Sequence, residues 1–308
     1  MPGSTWSWTT RLLFLLLIVA WGLNYLFVSI GLTAASPLWL ALFRSTVGAA
    51  GTFVLVAAFH AGPALDARGR RDAFLLGIPN TGLFFGLWFV AAQNVLPGFA
   101  AVLIYTFPLW VALLSAPVLG HRLSRSHWSA VALGFVGVAL VSQVWEVFGV
   151  STALASVVEL LLAAVAWGGG TVLFQRRFGA SHAVEGSAWG LLGGSVFLAI
   201  VLMVMGPYPL PRFADPSLWA SVAWMSLVGT AIAYAIWYTL LSRTPAAVLS
   251  AYVFLVPVVA LSASAVFFFE RLTLIQLVGV ALVLIAIYTI GRSSARVATA
   301  AATSAQPR

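Results

Sequence analysis

Ten separate stretches of this 308-residue chain are long and apolar enough to span a bilayer, and no other property restricts the fold so tightly. A hydrocarbon core of about 30 Å takes roughly 20 apolar residues per helix. The runs cover residues 12–32, 37–59, 72–95, 98–119, 128–145, 151–174, 186–206, 217–241, 246–269 and 274–291. Hydrocarbon offers backbone N–H and C=O groups no water, so each run is predicted to close its hydrogen bonds within itself as a helix. The expected fold class is an all-α membrane protein with ten transmembrane helices. The fifth and tenth runs are short and need a thinned bilayer or little tilt. A cleavable leader is an alternative for the first run. That run is long, however, carries Asn24 and Tyr25 and has a counterpart in the sixth run, so it is expected to be retained.

Charge points the same way. Only 7% of residues are charged, with 62% hydrophobic, against about 25% charged in a soluble domain. The net charge of +8 does not mark a nucleic-acid binder, because all the basic residues are arginines and most sit between the runs. With the N-terminus inside, the cytoplasmic face collects Arg11, Arg68, Arg70, Arg71, Arg122, Arg125, Arg176, Arg177, Arg243, Arg292, Arg296 and Arg308. The outer face keeps Arg212 and Arg271. This asymmetry follows the positive-inside rule and predicts that both termini are cytoplasmic.

The chain is also internally duplicated. Shifted by 149 positions, Trp88 meets Trp237, Pro108 meets Pro257, Ser115 meets Ser264 and Arg122-Leu123 meets Arg271-Leu272. Trp21-Gly22 in the first run is echoed by Trp167-Gly168 in the sixth. Five helices per copy is an odd number, so the second copy must enter the membrane upside down. The expected organisation is two inverted five-helix repeats, residues 1–146 with helices 1–5 and 147–292 with helices 6–10. A disordered cytoplasmic tail, 293–308, follows. Inverted repeats are a transporter architecture. Helices 1, 3, 4, 6, 8 and 9 are expected to surround a chamber, with 5 and 10 bracing it.

The residues that carry these patterns are Trp21-Gly22, Pro37 with Arg44, Pro108, His121-Arg122-Leu123-Ser124, Trp167-Gly168, Pro257 and Glu270-Arg271-Leu272-Thr273. Over residues 11–291 they resemble the EamA-type transporters of the drug/metabolite transporter superfamily. His121 departs from the pattern, which has a glutamate there as at Glu270. The resemblance implies a permease that exports small metabolites, amino acids including aromatic ones among them, by alternating access. Its place would be the inner (cell) membrane of a bacterium or archaeon. A multidrug or lipid-linked-solute exporter of the same fold is the alternative.

Side chains that share helix faces form the candidate substrate-binding wall. Trp21, Asn24 and Tyr25 share one face of the first helix by i, i+3, i+4 spacing. Phe85 and Trp88 share a face of the third, Tyr105 precedes Pro108 on the fourth, and Trp167 lies on the sixth. Tyr234, Trp237 and Tyr238 cluster on the eighth, and Phe254 precedes Pro257 on the ninth. Interfacial belts account for single Trp and Tyr residues. The recurrence of Trp88 and Trp237 deep in both copies suits a chamber wall that stacks rings or holds an ammonium group.

Arg44 lies about seven residues into the second run, and a central arginine costs about 2.5–3.5 kcal/mol on insertion scales. It reads as a carboxylate contact, an anchor between repeats, or a side chain snorkelling to headgroups. Glu159 lies at similar depth, so an Arg44–Glu159 ion pair is expected, with proton coupling through Glu159 as the alternative. Glu270 is expected to pair with Arg271 at a helix end. Pro108 and Pro257 are expected to kink the fourth and ninth helices near their middles, for packing or gating. Gly82-x3-Gly86, Gly186-x3-Gly190 and Gly190-x3-Gly194 are expected close-contact seams.

The four histidines, His60, His121, His127 and His182, have no ligand-spaced partners. With no cysteine there is no disulfide, thiolate metal site or cysteine nucleophile. No Walker loop or nucleophile motif is present. No catalytic residue, metal or cofactor is expected, and an intramembrane lipid-modifying enzyme would need a converging acid, base or metal cluster. The expected partners are a small-molecule metabolite and membrane lipids, not nucleic acid. Ten helices can enclose a path within one monomer.

Overall fold

A computed structural model describes residues 8–59, 64–119, 125–142, 151–178, 182–241, 255–286 and 288–289, and among these the chain is helical with no strand. Helix α1 is Trp8–Leu32 and α2 is Pro37–Phe59. Helix α3, Ala67–Ala91, contains a π-helical stretch at Ile78–Leu83. The fourth apolar run forms two helices, α4 (Pro97–Ile104) and α5 (Phe107–Leu119). Then come α6 (Arg125–Ser142), α7 (Ser151–Phe178) and α8 (Ala183–Met205). Helix α9 joins Pro216–Ala223, a π-helical stretch Trp224–Ile232 and Ala233–Leu241. Helix α10 is Leu255–Phe267 and α11 is Leu274–Ala286. The 121–124 turn, Phe254, His60, the boundary near residue 147 and the tail 293–308 lie outside the described residues, as do the side chains of Tyr238 and His127.

Helices α1, α2, α3, α7, α8 and α9 are long and apolar enough to cross a membrane, and the other apolar helices are shorter. Their outer surfaces suit hydrocarbon: Val54, Ile200, Met203, Val204, Val266 and Phe267 are all exposed. Such a surface in water would form a large unfavourable patch. The protein is a multi-pass membrane protein.

The helix breaks have local causes. Pro108 lacks an N–H, and its ring would strike the carbonyl four residues back. The helix therefore stops at Tyr105 and restarts at Phe107, with Leu109 N–H donating to Thr106 O at 2.8 Å. The Thr106 hydroxyl takes up the Leu103 carbonyl at 2.6 Å. Pro257 is buried as the third residue of α10. Pro79 sits at the start of the α3 π-helical stretch, where its missing N–H disturbs the α-helical ladder. In α9 the Thr230 hydroxyl donates to Met225 O at 2.8 Å.

Contacts exchange between the two sequence copies. Helix α2 packs on the π-helical stretch of α9, and α8 packs on that of α3. Helix α1 packs on α10, as α7 packs on α5. The residues correspond too. A Cβ on Gly22 would lie 2.5 Å from Val259, and one on Gly168 would lie 3.1 Å from the Trp110 Cβ. Gly48 faces Thr230 as Gly194 faces Thr81. Asn24 fills the space left by Gly229, and Asn80 fills that left by Gly170. These are shifts of 146 positions for α1, α2, α7 and α8, and of 149 for the helices they contact.

The expected glycine seams are close contacts except at Gly86, where a Cβ would meet only Leu198 at 3.4 Å. Gly190 and Gly194 face the 73–82 segment, Gly82 faces Phe197, and Gly186 faces Phe174. The tightest approaches involve glycines outside the spaced pattern: a Cβ on Gly77 would lie 1.9 Å from Gly190 O, and one on Gly193 would lie 1.9 Å from Phe74 O.

The loop ends sort into two groups. In one, Arg212 N–H donates to Ala34 O at 2.8 Å and the Arg212 guanidinium donates to Thr33 O. Asn94, after α3, donates to Ser156 near the start of α7 at 3.2 Å. In the other, Arg177 at the end of α7 pairs with Asp72 near the start of α3 at 2.7 Å. There Glu185, buried near the start of α8, accepts from Leu65 N–H at 2.7 Å, Arg70 at 3.2 Å and the Trp189 indole at 3.3 Å.

Glu270 does not pair with Arg271 as expected. Two residues past the end of α10, Phe269 sits in the left-handed region at φ 55°, and Glu270 N–H reaches back to Ser264 O. This turn directs the Glu270 carboxylate onto the start of α4, where Gly98 N–H donates at 3.1 Å and Phe99 N–H at 3.0 Å. Helix α4 needs it: its own N-cap residue is Leu96, which makes no side-chain cap, and Pro97 has no N–H. A carboxylate satisfies orphan donors and complements the helix dipole. Arg271 is left exposed. Thr273 and Gln276 form a reciprocal capping box at the start of α11, with bonds of 2.9 and 3.2 Å. The Glu-Arg-Leu-Thr turn thus caps two helices at once.

Candidate functional site

Six helices converge on one cavity of about 30 Å3. Its wall takes Trp21, Asn24 and Tyr25 from α1, Arg44 from α2, and Phe84, Phe85 and Trp88 from α3. Tyr105 comes from the end of α4, Trp167 from α7, and Gly229 and Tyr234 from α9. Nine of the residues singled out from the sequence therefore share one space. Trp237 lies behind them, with its ring 5.6 Å from that of Trp21. The α6 and α11 helices contribute no lining residue.

Helical periodicity explains why α1 serves as a wall. Residues 21, 24 and 25 fall on one stripe, and Gly22 on an adjacent stripe lets α1 close onto α10. The rings pack in chains. Tyr25 lies 4.6 Å from Trp88 and 6.3 Å from Tyr105. Trp167 stacks between Phe84 at 4.9 Å and Phe107 at 3.9 Å. Each such pair contributes about 0.5–1.5 kcal/mol beyond area burial.

Arg44 is 4% exposed, so it does not snorkel. Its guanidinium carbon lies 4.2 Å from the Phe85 ring centre and 4.8 Å from that of Trp88. The expected ion pair with Glu159 does not form. The described ion pairs are Arg70–Glu185, Arg71–Asp72, Arg177–Asp72 and Arg212–Asp215, and Glu159 is partly buried on α7 away from the cavity wall. Trp167, not Glu159, is the α7 residue that shares the cavity wall with Arg44, and it lies eight residues further along the helix. Arg44 Nε and one terminal nitrogen, Nη1, are buried without a protein partner.

Asn24 is 2% exposed and its Nδ2 donates to Gly229 O at 3.4 Å, while its Oδ1 has no partner. Gly229 is required there: a Cβ would lie 2.0 Å from Asn24 Oδ1. Sequence reasoning passed over Gly229, because a glycine shows its purpose only beside the residue that fills its space. It also passed over Phe84, although Phe84 precedes Trp88 by one helical turn. Among the described residues no group of three or more His, Asp or Glu could hold a metal.

Comparison with known proteins agrees with this architecture. The chain is 26% identical over 286 residues to "Uncharacterized transporter YvbV" of Bacillus subtilis, covering 92% of each chain. It is 28% identical over 289 residues to the "Probable amino-acid metabolite efflux pump" of Escherichia coli, covering 89% of this chain and 92% of that one. A solved crystal structure superposes with a TM-score of 0.65 at 19% identity, over 94% of this chain and 99% of the other, which shows a shared fold. The EamA-like transporter family matches twice in tandem, at residues 8–143 and 154–292. The chain belongs to the EamA-like transporter family.

Proposed function

We propose that this transporter exports small metabolites, amino acids with aromatic side chains among them, across the cell membrane by alternating access. In this reading the two five-helix halves are inverted relative to each other, both termini are cytoplasmic, and the cavity lies at their interface. The observation that carries it is the cavity wall, which draws aromatic side chains from α1, α3 and α4 of one copy and from α7 and α9 of the other. Support for inversion comes from α10 and from α4, the first part of the apolar run whose second part, α5, corresponds to α10 at a shift of 149. Glu270, three residues past the end of α10, meets the start of α4 at Gly98, and α4 packs along α10, which fits helices running in opposite directions. A further support is the exchange of contacts between the copies. The likeness to a protein named as an amino-acid metabolite efflux pump favours this class of cargo.

The cavity as it stands holds one or two waters, about 30 Å3. Loading a solute requires the halves to part, as rocking of one bundle on the other would do. The glycine contact between α3 and α8 is a smooth surface for that motion. Energy would come from the solute gradient or a proton gradient. Glu159, the candidate proton carrier, lies off the cavity wall, which favours the solute gradient.

The test is counterflow in liposomes carrying the purified protein, using labelled amino acids and related metabolites. Flux above that of a Trp88→Ala variant is expected. Equal flux for both proteins across the whole panel would remove the transport reading.

A further inference from the structure

Arg44 is a full positive charge, nine-tenths and more buried, facing a cavity with no acidic residue in its wall. Buried charges in proteins are paired or hydrogen-bonded, because leaving water is costly. Here the aromatic faces of Phe85 and Trp88 offset part of that cost. They leave Nε and Nη1 without acceptors. A guanidinium with unused donors is a natural complement of a carboxylate. Across the same small cavity, the Oδ1 of Asn24 is an unused acceptor.

We infer that Arg44 is the recognition site for the carboxylate of the transported solute, and that the chamber rejects organic cations lacking one. This rests on the transport reading above. A carboxylate supplies a missing acceptor to the Arg44 guanidinium in a wall made largely of aromatic rings. An ammonium on the adjacent carbon takes Asn24 Oδ1, an unused acceptor in the wall of the same cavity, as its partner. An apolar or aromatic remainder lies against the rings of Trp21 and Trp88. A cation without a carboxylate meets the like charge of Arg44 with no carboxylate in the wall to offset it. The same fold with an acidic wall would select the opposite class of solute.

Three ligands with one carbon skeleton separate the contributions: L-phenylalanine, 3-phenylpropionate without the amine, and phenethylamine without the carboxylate. Binding to the purified full chain in detergent is measured by titration calorimetry at millimolar concentrations. L-phenylalanine and 3-phenylpropionate should bind, and phenethylamine should bind at least about tenfold more weakly, the scale of a lost charge-assisted pair. Arg44→Gln should abolish that preference, and Arg44→Lys should retain part of it. Elution profile and melting temperature establish that both variants are folded. The preference between ligands is a readout that loss of packing alone would not move.

Equal binding of phenethylamine and 3-phenylpropionate, or an unchanged preference in Arg44→Gln, overturns the assignment. So does binding of none of the three. In each of those cases, counterflow of any neutral or cationic solute by the same preparation leaves the transport reading standing. Flux of no solute at all removes both.

Discussion

Replacing Glu270 with alanine removes the cap that α4 borrows from the other half of the chain. Two N–H groups, of buried Gly98 and half-buried Phe99, lose charge-assisted acceptors at 3.1 and 3.0 Å. Each unsatisfied buried donor costs about 1–3 kcal/mol, and the helix-dipole interaction adds about 0.3–1 kcal/mol. Water can reach a helix end in part, so the expected loss is about 2–4 kcal/mol, below the full sum. Glu270→Gln keeps one acceptor oxygen and should cost about half as much. Gly98→Ala probes the same contact from the other side. Its Cβ would lie 2.6 Å from Glu270 Oε2 and 3.0 Å from the Leu261 backbone. Overpacking of that kind costs about 1–3 kcal/mol. Removing the carboxylate relieves the first clash and not the second, so the double variant should be less destabilised than the sum of the single ones. SDS-titrated unfolding followed by circular dichroism measures all four proteins. Glu270→Ala within about 0.5 kcal/mol of wild type, or strict additivity with Gly98→Ala, would refute the capping account.

Gly193→Ala puts a Cβ 1.9 Å from a backbone carbonyl, so α3 and α8 must separate, and a loss of about 3 kcal/mol or more is expected in the same unfolding assay. Gly86→Ala meets only Leu198 at 3.4 Å and gains helix propensity of up to about 1 kcal/mol, so it should be neutral or stabilising. At the start of α9, the Ser217 hydroxyl at 2.7 Å, then its N–H at 3.0 Å, and Arg212 hold the Asp215 carboxyl below its ordinary value. Its folded pKa is the lower one, so the cap contributes fully above about pH 4 and is lost as pH falls through the folded value. Asp215→Asn should lower the melting temperature at pH 7 and flatten its decline in acid. Because the chain has no cysteine, single cysteines give a clean topology test. On intact cells an impermeant maleimide should label Phe213→Cys and leave Arg176→Cys unlabelled. The reverse pattern would invert the proposed orientation.

The helical character of the apolar runs was legible from hydropathy alone, because hydrocarbon leaves the backbone only internal partners. The convergence of Trp21, Asn24 and Tyr25 was legible too, since residues three and four apart must share a helix face. Periodicity says which side chains share a stripe and not what the stripe faces. Arg44 and Glu159 lie at similar distances into their apolar runs and still do not pair. Glu270 found its partner 172 positions away, and Asn24 found the Gly229 carbonyl 205 positions away. The cap on α4, the glycine spaces filled by asparagines, and the unpaired cation in the cavity all depend on how helices rotate and dock. Docking is decided by many weak, non-local packing contacts at once, and no local stretch of the chain contains that information.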